Sequence, residues 1–162
     1  MVASAALSRR EVSAVDADEL VNSVHEVMRS VLHRAHPALE AEGISMGQFW
    51  ALHLVSSLGS ASVSTVARHL SVSAPTICAK VDDLEAAGLV HRHRSERDRR
   101  AVELTLTAKG RKVESRIWSR IGRLMAAAAV DLPPDDLATA VRVFRELNQR
   151  LDPTDGRPGG AP

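Results

Sequence analysis

The sequence has few cysteines, few aromatic residues and no long apolar run, and each of these features argues against a class of protein. Its 162 residues include one cysteine, Cys78, so no disulfide can form within the chain. No apolar run approaches the roughly 18 residues that span a bilayer, and residues 1–15 lack the apolar stretch of a secretory signal. We therefore expect a soluble cytoplasmic protein that has no membrane partner.

Aromatic side chains are also scarce, with two Phe, two Trp and no Tyr. Proteins that bind single-stranded nucleic acid usually stack its bases on aromatic rings. Only Trp118 lies among the basic residues described below, and it falls within a helical apolar pattern. If the chain binds a nucleic acid, the composition therefore favours duplex DNA over single strands or RNA loops.

Enzyme motifs are missing as well: the sequence contains no P-loop, GxGxxG, HExxH or GxSxG pattern. The paired carboxylates Asp82 and Asp83 fall on an exposed helix face. His33, His36 and Glu40 share one helical face, but no Cys or His cluster accompanies them, which favours solvated or interface histidines over a metal site. We predict no enzymatic activity, no cofactor and no bound metal.

The charge that is present is unevenly distributed. The formal net charge is only +1, yet residues 91–120 contain ten Lys or Arg against four Asp or Glu, a local charge of +6. A basic block in a nearly neutral chain is typical of a site for a polyanion. The alternative is a solvated charged face, which any helix can have.

The spacing of apolar residues predicts six helices and a β-hairpin. We place the helices at 16–41, between Ser45 and Gly59, at 64–70, between Ser73 and Gly88, from Thr107 to the break at 132–134, and from there to 151. The hairpin joins residues 91–94 to 101–106 through a turn at 95–100, and residues 60–62 form a connector or an edge strand.

The short helix 64–70, with Ser64 as its expected cap, is followed by a turn at 71–72 and a second helix. Ser73 can cap that helix, because its hydroxyl can accept a hydrogen bond from an exposed backbone N–H group. Pro75 is tolerated in the first turn, where its missing N–H has no partner in any case. This order, followed by a hairpin, predicts a winged helix-turn-helix.

In such a fold the second helix enters the major groove, and its first turns face the base edges. Because this helix is poor in arginine, we expect the wing to supply most of the affinity. The alternative for any one wing arginine is a structural pair with Asp98 or Asp82, and we assign Asp98 itself a structural role in the turn. The predicted DNA contacts are Arg68, Ser71, Ser73, Pro75, Thr76, Ala79 and Lys80 from the helix-turn-helix and Arg94, Arg97, Arg99 and Arg100 from the wing.

Three segments, GISMGQFWALHLV, STVARHLSVSAPTICAKVDDLEAAGLV and DRRAVELTLTAKG, closely resemble the MarR family of bacterial transcriptional regulators. The wing pattern Asp98-x-Arg100, followed by Leu-Thr and Gly110, carries the resemblance, which is strong over residues 43–112. The chain departs from the family pattern at Ala79 and Asp83, where basic residues are frequent, and this departure implies a weak or selective operator.

The resemblance implies a homodimer, triangular in outline, that is formed by the first and last helices and places two winged domains on a pseudo-palindromic operator. It often implies a small anionic or phenolic effector between the dimer region and the winged domain. The apolar stripes of the outer helices favour a dimer independently, because a winged domain of roughly 60 residues cannot cover them alone.

We therefore predict a mainly α protein with a small β-hairpin wing (class α+β), in which a winged helix-turn-helix is flanked by N- and C-terminal dimerisation helices. The expected boundaries are a flexible N-terminus at 1–15, a dimerisation helix at 16–44, the winged domain at 45–107, C-terminal dimerisation helices at 108–151 and a disordered tail at 152–162.

An effector pocket is expected under the first helix and beside the second. Ordinary core and interface packing is the alternative for each of its residues. Indole or imidazole N–H groups there could hold a carboxylate or a phenol. The predicted pocket residues are Met28, His33, Trp50, His53 and Trp118.

Cys78 lies on the predicted recognition helix and is either a redox switch or a small, partly buried residue. Oxidation or capping there would place bulk or charge at the groove. A disulfide to a second copy is excluded, because recognition helices on DNA lie about 34 Å apart, whereas disulfide-bonded Cα atoms lie about 4.4–6.8 Å apart.

The predicted function is a dimeric, sequence-specific, double-stranded DNA-binding transcriptional regulator, a repressor that a small molecule releases. Two alternatives stay open. One is a redox-sensing regulator that acts through Cys78. The other is a winged-helix module whose basic face binds an acidic protein.

Overall fold

The computed structural model describes residues 14–94 and 102–151. Within them the chain forms six helices and a three-stranded antiparallel sheet, which confirms the predicted fold class. The elements are α1 (Ala14–Ala41), α2 (Met46–Leu58), β1 (Ala61–Ser62), α3 (Val63–His69), α4 (Ala74–Ala86), β2 (Val90–Arg94), β3 (Val102–Leu106), α5 (Ala108–Ala128) and α6 (Pro134–Leu151).

Three expectations concern residues outside this description: the structure of 1–13, of the wing turn at 95–100 and of the tail at 152–162. Helix α1 begins at Ala14, two residues before its predicted start. No helix among the described residues combines the length and the apolar character needed to cross a membrane.

The sheet has the order β1-β3-β2, so that β3 is its central strand. Residues 60–62 were expected to form a connector or an edge strand, and Ala61 does pair with Leu104 at the sheet edge. On the other side of β3, Val90 of β2 lies opposite Leu106. Leu104 and Leu106 are buried, so one face of the hairpin closes over the helical core.

The core draws its residues from α1 through α5, and its centre is made of side chains that are almost completely buried. Helix α4 contributes Ile77, Val81 and Leu84, the three positions that its helical spacing predicted. The largest fully buried side chains are Phe49, Leu39, Leu52, Ile77, Leu84, Leu104, Ile117, Val55, Val66, Val81 and Val90.

The helix-turn-helix itself is shaped by its caps. Helix α3 is capped by Ser62, whose Oγ accepts from the backbone N–H of Thr65 at 3.1 Å, so the expected cap at Ser64 was wrong. The reason is that β1 runs directly into α3, which then begins one residue earlier than predicted. At the other end of α3, Ser71 takes a left-handed conformation with φ 52°. This residue turns the chain toward α4.

Helix α5 is anchored at its first turn. Thr107 Oγ1 donates to the carbonyl oxygen of Gly88 at 2.8 Å and accepts from the N–H of Gly110 at 2.9 Å, which confirms Thr107 as a cap. A Cβ on Gly110 would lie 1.9 Å from the carbonyl oxygen of Leu89. Only a glycine permits this approach between α5 and the end of the α4–β2 connection.

The chain divides into two units, Met1–Gly122 and Arg123–Pro162. In the first unit, α1 buries Ala35 and Leu39 but exposes an apolar stripe nearer its start: Leu20, Val21, Val24, Val27 and Met28. In the second unit, no residue of α6 is buried. Its exposed apolar side chains include Val141, Val143, Phe144 and Leu151. Both outer helices therefore present apolar surface that their own chain leaves open.

Candidate nucleic-acid interface

The N-terminal end of α4 presents the residues that were predicted to read bases. Ser73 caps the helix, and its Oγ accepts from the backbone N–H of Thr76 at 3.3 Å. The two hydroxyl oxygens lie 2.7 Å apart. Pro75 and Ala79 are exposed on the same helix. The surface formed by these four residues is neutral, with two hydroxyl groups and two small apolar groups.

The other predicted contacts of the helix-turn-helix lie in different environments. Arg68, on the last turn of α3, and Ser71, in the turn, are exposed. Lys80 is partly buried instead. Its Nζ and Cε lie 3.0 Å from the position that a Cβ on Gly47 would occupy, so the side chain runs along the start of α2. The ammonium is thus held close to α2, and a phosphate would have to approach it there.

Helix α4 is acidic over its second half. It contains one basic residue, Lys80, and three acidic residues, Asp82, Asp83 and Glu85, which gives the helix a charge of −2. Gln48 of α2 donates from Nε2 to Asp83 Oδ2 at 3.1 Å, and its Oε1 accepts from the Ser45 backbone N–H. The N-terminal cap of α2 is thereby joined to α4.

Arg92 on β2 was not among the predicted site residues, yet it makes the densest set of contacts on α4. Its Nη1 lies 2.5 Å from Asp82 Oδ1 and 3.3 Å from Glu85 Oε2. Its Nη2 donates to the carbonyl oxygen of Cys78 at 3.4 Å. Its backbone N–H donates to Glu85 Oε1 at 3.3 Å. The sequence made Asp82 a possible partner of Arg94 or of an arginine in the wing turn, and among the described residues the arginine that contacts it is Arg92.

A sequence signal for Arg92 did exist. In a strand, alternate residues share a face, so Arg92 lies on the same side as the buried Val90. A guanidinium at such an inward position needs an acidic partner, because burying an unpaired charge is costly. The carboxylates of α4, which precede Arg92 by seven to ten residues, are among the candidates.

The wing is described only at its base. Arg94 lies at the end of β2 and is exposed. Arg97, Asp98, Arg99 and Arg100 lie outside the described residues. On the same sheet, Glu103 accepts from Ser60 Oγ at 3.1 Å and lies 3.9 Å from His93 Nε2. The base of the wing is therefore held by polar contacts on both sides of β3.

Three of the five predicted pocket residues come together between α2 and α5. The rings of His53 and Trp118 stack with centroids 3.9 Å apart, and Trp50 meets His53 edge-on at 5.9 Å. His53 Nδ1 lies 2.8 Å from Glu114 Oε1. Glu114, which was not predicted, is the buried charged residue of the described core. Met28 and His33 lie on α1 with exposed side chains.

The remaining candidates are surface residues. Cys78 is exposed on α4. His36 pairs with Glu40 at 3.2 Å on α1, and both side chains are largely exposed. Within the described residues, no group of three or more His, Cys, Asp or Glu could hold a metal ion.

The model of the MarR family matches residues 42–101. The chain is 32% identical over 110 residues to the HTH-type transcriptional regulator YfiV of Bacillus subtilis (strain 168), covering 67% of this chain and 68% of YfiV. It is 23% identical over 140 residues to the transcriptional repressor MdtR of the same organism, covering 84% of this chain and 90% of MdtR.

The fold is similar to that of a solved structure of Staphylococcus aureus MarR in complex with salicylate and kanamycin. The TM-score is 0.74 at 21% sequence identity, and the match covers 85% of this chain and 93% of that one. At this identity the likeness concerns the fold alone.

Proposed function

This chain belongs to the MarR family of transcriptional regulators, and on that premise we propose that it is a homodimeric repressor of a pseudo-palindromic double-stranded operator, released by a small molecule. The observation that carries the proposal is the exposed start of α4, where a capped helix end presents small side chains at the surface. A protein of this kind acts by binding, and we assign it no catalytic role.

In this proposal the first turns of α4 lie in the major groove. Ser73 and Thr76 offer hydroxyl groups to bases or phosphates, while Pro75 and Ala79 offer apolar contacts, for instance to a thymine methyl group. Arg68, Ser71 and Lys80 are assigned to the neighbouring backbone. Direct readout by so few polar groups is modest, so the operator is defined by a small number of base pairs.

The wing supplies the larger share of the affinity. Arg94 is exposed at its base, and Arg97, Arg99 and Arg100 follow in the sequence. We assign Asp98 to the support of the turn. Arginines at a hairpin tip suit a narrow minor groove, where the negative potential is strongest. Their contribution is largely independent of sequence and depends on salt, because each phosphate contact releases counterions.

We assign a second copy of the chain to the N- and C-terminal dimerisation helices, at residues 16–44 and 108–151. The apolar stripes on α1 and α6 support this assignment, and so do their charges. A surface groove on α6 is lined by Arg142, Arg145 and Glu146, whereas one on α1 is lined by Asp18, Glu19 and Glu26. The surplus of positive charge in the first groove suits the carboxylates of the second, so the α1 of one copy can attract the α6 of the other. Two-fold symmetry then sets half-sites about one helical turn apart.

The effector is assigned to the cluster of Trp50, His53 and Trp118, with Met28 and His33 of α1 as further lining. Salicylate, bound in the Staphylococcus aureus structure, is both a phenol and a carboxylate, and this supports an anionic or phenolic effector here. Because His53 and Trp118 are stacked, the effector has to separate the two rings or displace Trp118. Either movement shifts α5 relative to α2, and α2 is joined to α4 through Gln48 and Asp83.

The experiment has two stages. Selection of bound DNA from genomic fragments by the purified protein should return a pseudo-palindromic sequence, and Arg100→Ala should then weaken binding to every duplex. In titrations from 50 to 200 mM salt, the slope of log K against log salt should fall by about 0.9 for each phosphate that the variant no longer neutralises. An unchanged slope would contradict the role given to Arg100.

The same assay tests the other assignments. Added phenolic acids should lower operator affinity and change Trp118 fluorescence, whereas neither effect is expected for a Trp118→Leu variant. Peroxide that lowers the affinity of the wild type but not of Cys78→Ser would support redox sensing in place of effector release. A selection that returns no preferred sequence would favour the protein-interaction module.

A further inference from the structure

We propose that Arg92 is a positioning residue for DNA binding: it fixes the wing to the recognition helix and masks the acidic side of that helix from the phosphates. The inference rests on the proposed function, because it assigns a role within the same DNA-binding surface. The helix side in question, here called the acidic flank of α4, consists of Asp82 and Glu85 together with the carbonyl group of Cys78.

The contacts of Arg92 run along two turns of α4. Cys78, Asp82 and Glu85 are separated by four and three residues, so they form one row along the helix over two turns. The guanidinium of Arg92 contacts all three members of this row, and its backbone N–H adds a second contact to Glu85. A single residue of β2 therefore ties the strand to two turns of the helix, beside the apolar packing of Val90 in the core.

Both terminal nitrogens of the Arg92 guanidinium contact this row, and the side chain is 28% exposed. Two residues along the same strand, Arg94 is exposed. Arg92 is thus built into the domain, whereas Arg94 is available to a phosphate. The two arginines form a matched pair for comparison.

Charge gives Arg92 its second role. The three carboxylates of α4 outweigh its one ammonium, and DNA repels each carboxylate that lies near the groove. Arg92 neutralises part of the acidic flank, and Gln48 donates a hydrogen bond to the remaining carboxylate, Asp83. Without Arg92, two carboxylates at the junction of helix and wing would face the phosphates without the cation that contacts them in the described residues.

The two roles predict different effects on specific and random DNA. A loosened wing lowers the affinity for the operator most, because only on the operator do the helix and the wing both have to be aligned with their own contacts on the DNA. Exposed carboxylates weaken binding to any sequence. Removing Arg92 should therefore lower both affinities and also lower the ratio of operator to random binding, without removing a phosphate contact.

The test uses the full chain, the selected operator and a random duplex of equal length, measured by fluorescence anisotropy at several salt concentrations. Arg92→Ala should weaken operator binding about tenfold or more and change the salt slope by clearly less than the roughly 0.9 expected for the loss of one phosphate contact. The control Arg94→Ala should lower the slope by about 0.9. If Arg92→Ala lowers the slope by the same amount, Arg92 is a phosphate contact and the proposal is overturned.

A second pair of variants separates masking from positioning. Adding Asp82→Asn and Glu85→Gln to Arg92→Ala removes the unmasked charges and should restore binding to random DNA, but not the operator preference. If random binding stays as weak as in Arg92→Ala, masking is wrong. Asp82→Asn with Glu85→Gln alone keeps Arg92 but loosens its hold, so the operator-to-random ratio should fall severalfold. An unchanged ratio overturns the positioning role, even if Arg92→Ala fails to fold.

A thermal-unfolding cycle over Arg92→Ala, Asp82→Asn and the double variant measures the contact without DNA. The effects of the two single changes should not be additive, because each removes the same contact. If the wild type selects no DNA, the proposed function fails, and the cycle still shows whether the contact holds the wing to α4. Additive effects would overturn the contact itself.

Discussion

The winged core and the outer helices complete their hydrophobic burial in opposite ways. In the core, Phe49, Leu52, Ile77 and Leu104 have essentially no solvent exposure. On α6, which is just as regularly amphipathic, no residue is buried and Phe144 is 52% exposed. The difference shows that helical spacing alone identifies an apolar face but leaves open whether the same chain covers it.

The energetic meaning of the comparison follows from burial. Fully burying one large apolar side chain is worth about 1.5–3 kcal/mol. The core has already gained this energy within one chain. Burial of the exposed stripes of α1 and α6 against a second copy would contribute a comparable free energy to association.

The largest effect on folding is expected inside the core. Gly110→Ala should destabilise the domain by about 3 kcal/mol, because its Cβ would overlap the carbonyl oxygen of Leu89 and force overpacking at the start of α5. Gly122→Ala is the matched control on the same helix, since its Cβ would meet nothing within 4 Å. That control should leave stability unchanged or raise it by up to about 1 kcal/mol.

Denaturant unfolding followed by circular dichroism would measure both changes. Equal stabilities of Gly110→Ala and Gly122→Ala would contradict the close approach of α5 to Leu89.

A smaller effect on folding, but a large one on association, is expected at α6. Phe144→Glu should raise the dimer dissociation constant about 100-fold or more, because two symmetry-related copies each lose about 1.5–3 kcal/mol of apolar burial. Thr139→Glu lies on the opposite side of the helix and should leave association unchanged.

Sedimentation at several protein concentrations would compare these two variants, and circular dichroism would check that the winged core stays folded. If Phe144→Glu remains as dimeric as the wild type, the exposed stripe of α6 has some other partner.

The smallest effect is expected at the caps of the core. Ser62→Ala should cost about 1 kcal/mol, because it removes the oxygen that accepts from Thr65 at the start of α3. Ser64→Ala should cost a few tenths of a kcal/mol at most, since Ser64 contributes only a hydroxyl contact to Ser62. Thermal unfolding should resolve the difference. A larger loss of stability for Ser64→Ala than for Ser62→Ala would show that Ser64 is the cap.

What the sequence predicted well depends on local, periodic signals. The cap at Ser73, the buried row of Ile77, Val81 and Leu84, and the positions of β2 and β3 all follow from spacing over a few residues. The cap of α3 was misplaced because several serines in a short segment can each serve, and only the pairing of β1 with β3 selects Ser62.

The contacts that spacing could not reveal join distant parts of the chain. Glu114 bonds His53 across 61 residues, and Gln48 bonds Asp83 across 35. Arg92 meets the acidic flank of α4 through the packing of a strand on a helix. In each case the charge or polarity was visible in the sequence, whereas the partner depended on tertiary packing. The site residues of the wing turn remain predictions.

The scarcity of basic residues in α4 affects how quickly the protein finds its operator. Most of the DNA that a regulator meets is the wrong sequence, and the time spent there grows with the number of ionic contacts it makes. A helix with three carboxylates and one ammonium adds few such contacts when it enters a random groove. We therefore expect brief stops on random DNA, with long residence only where Ser73, Thr76 and their apolar neighbours meet matching bases.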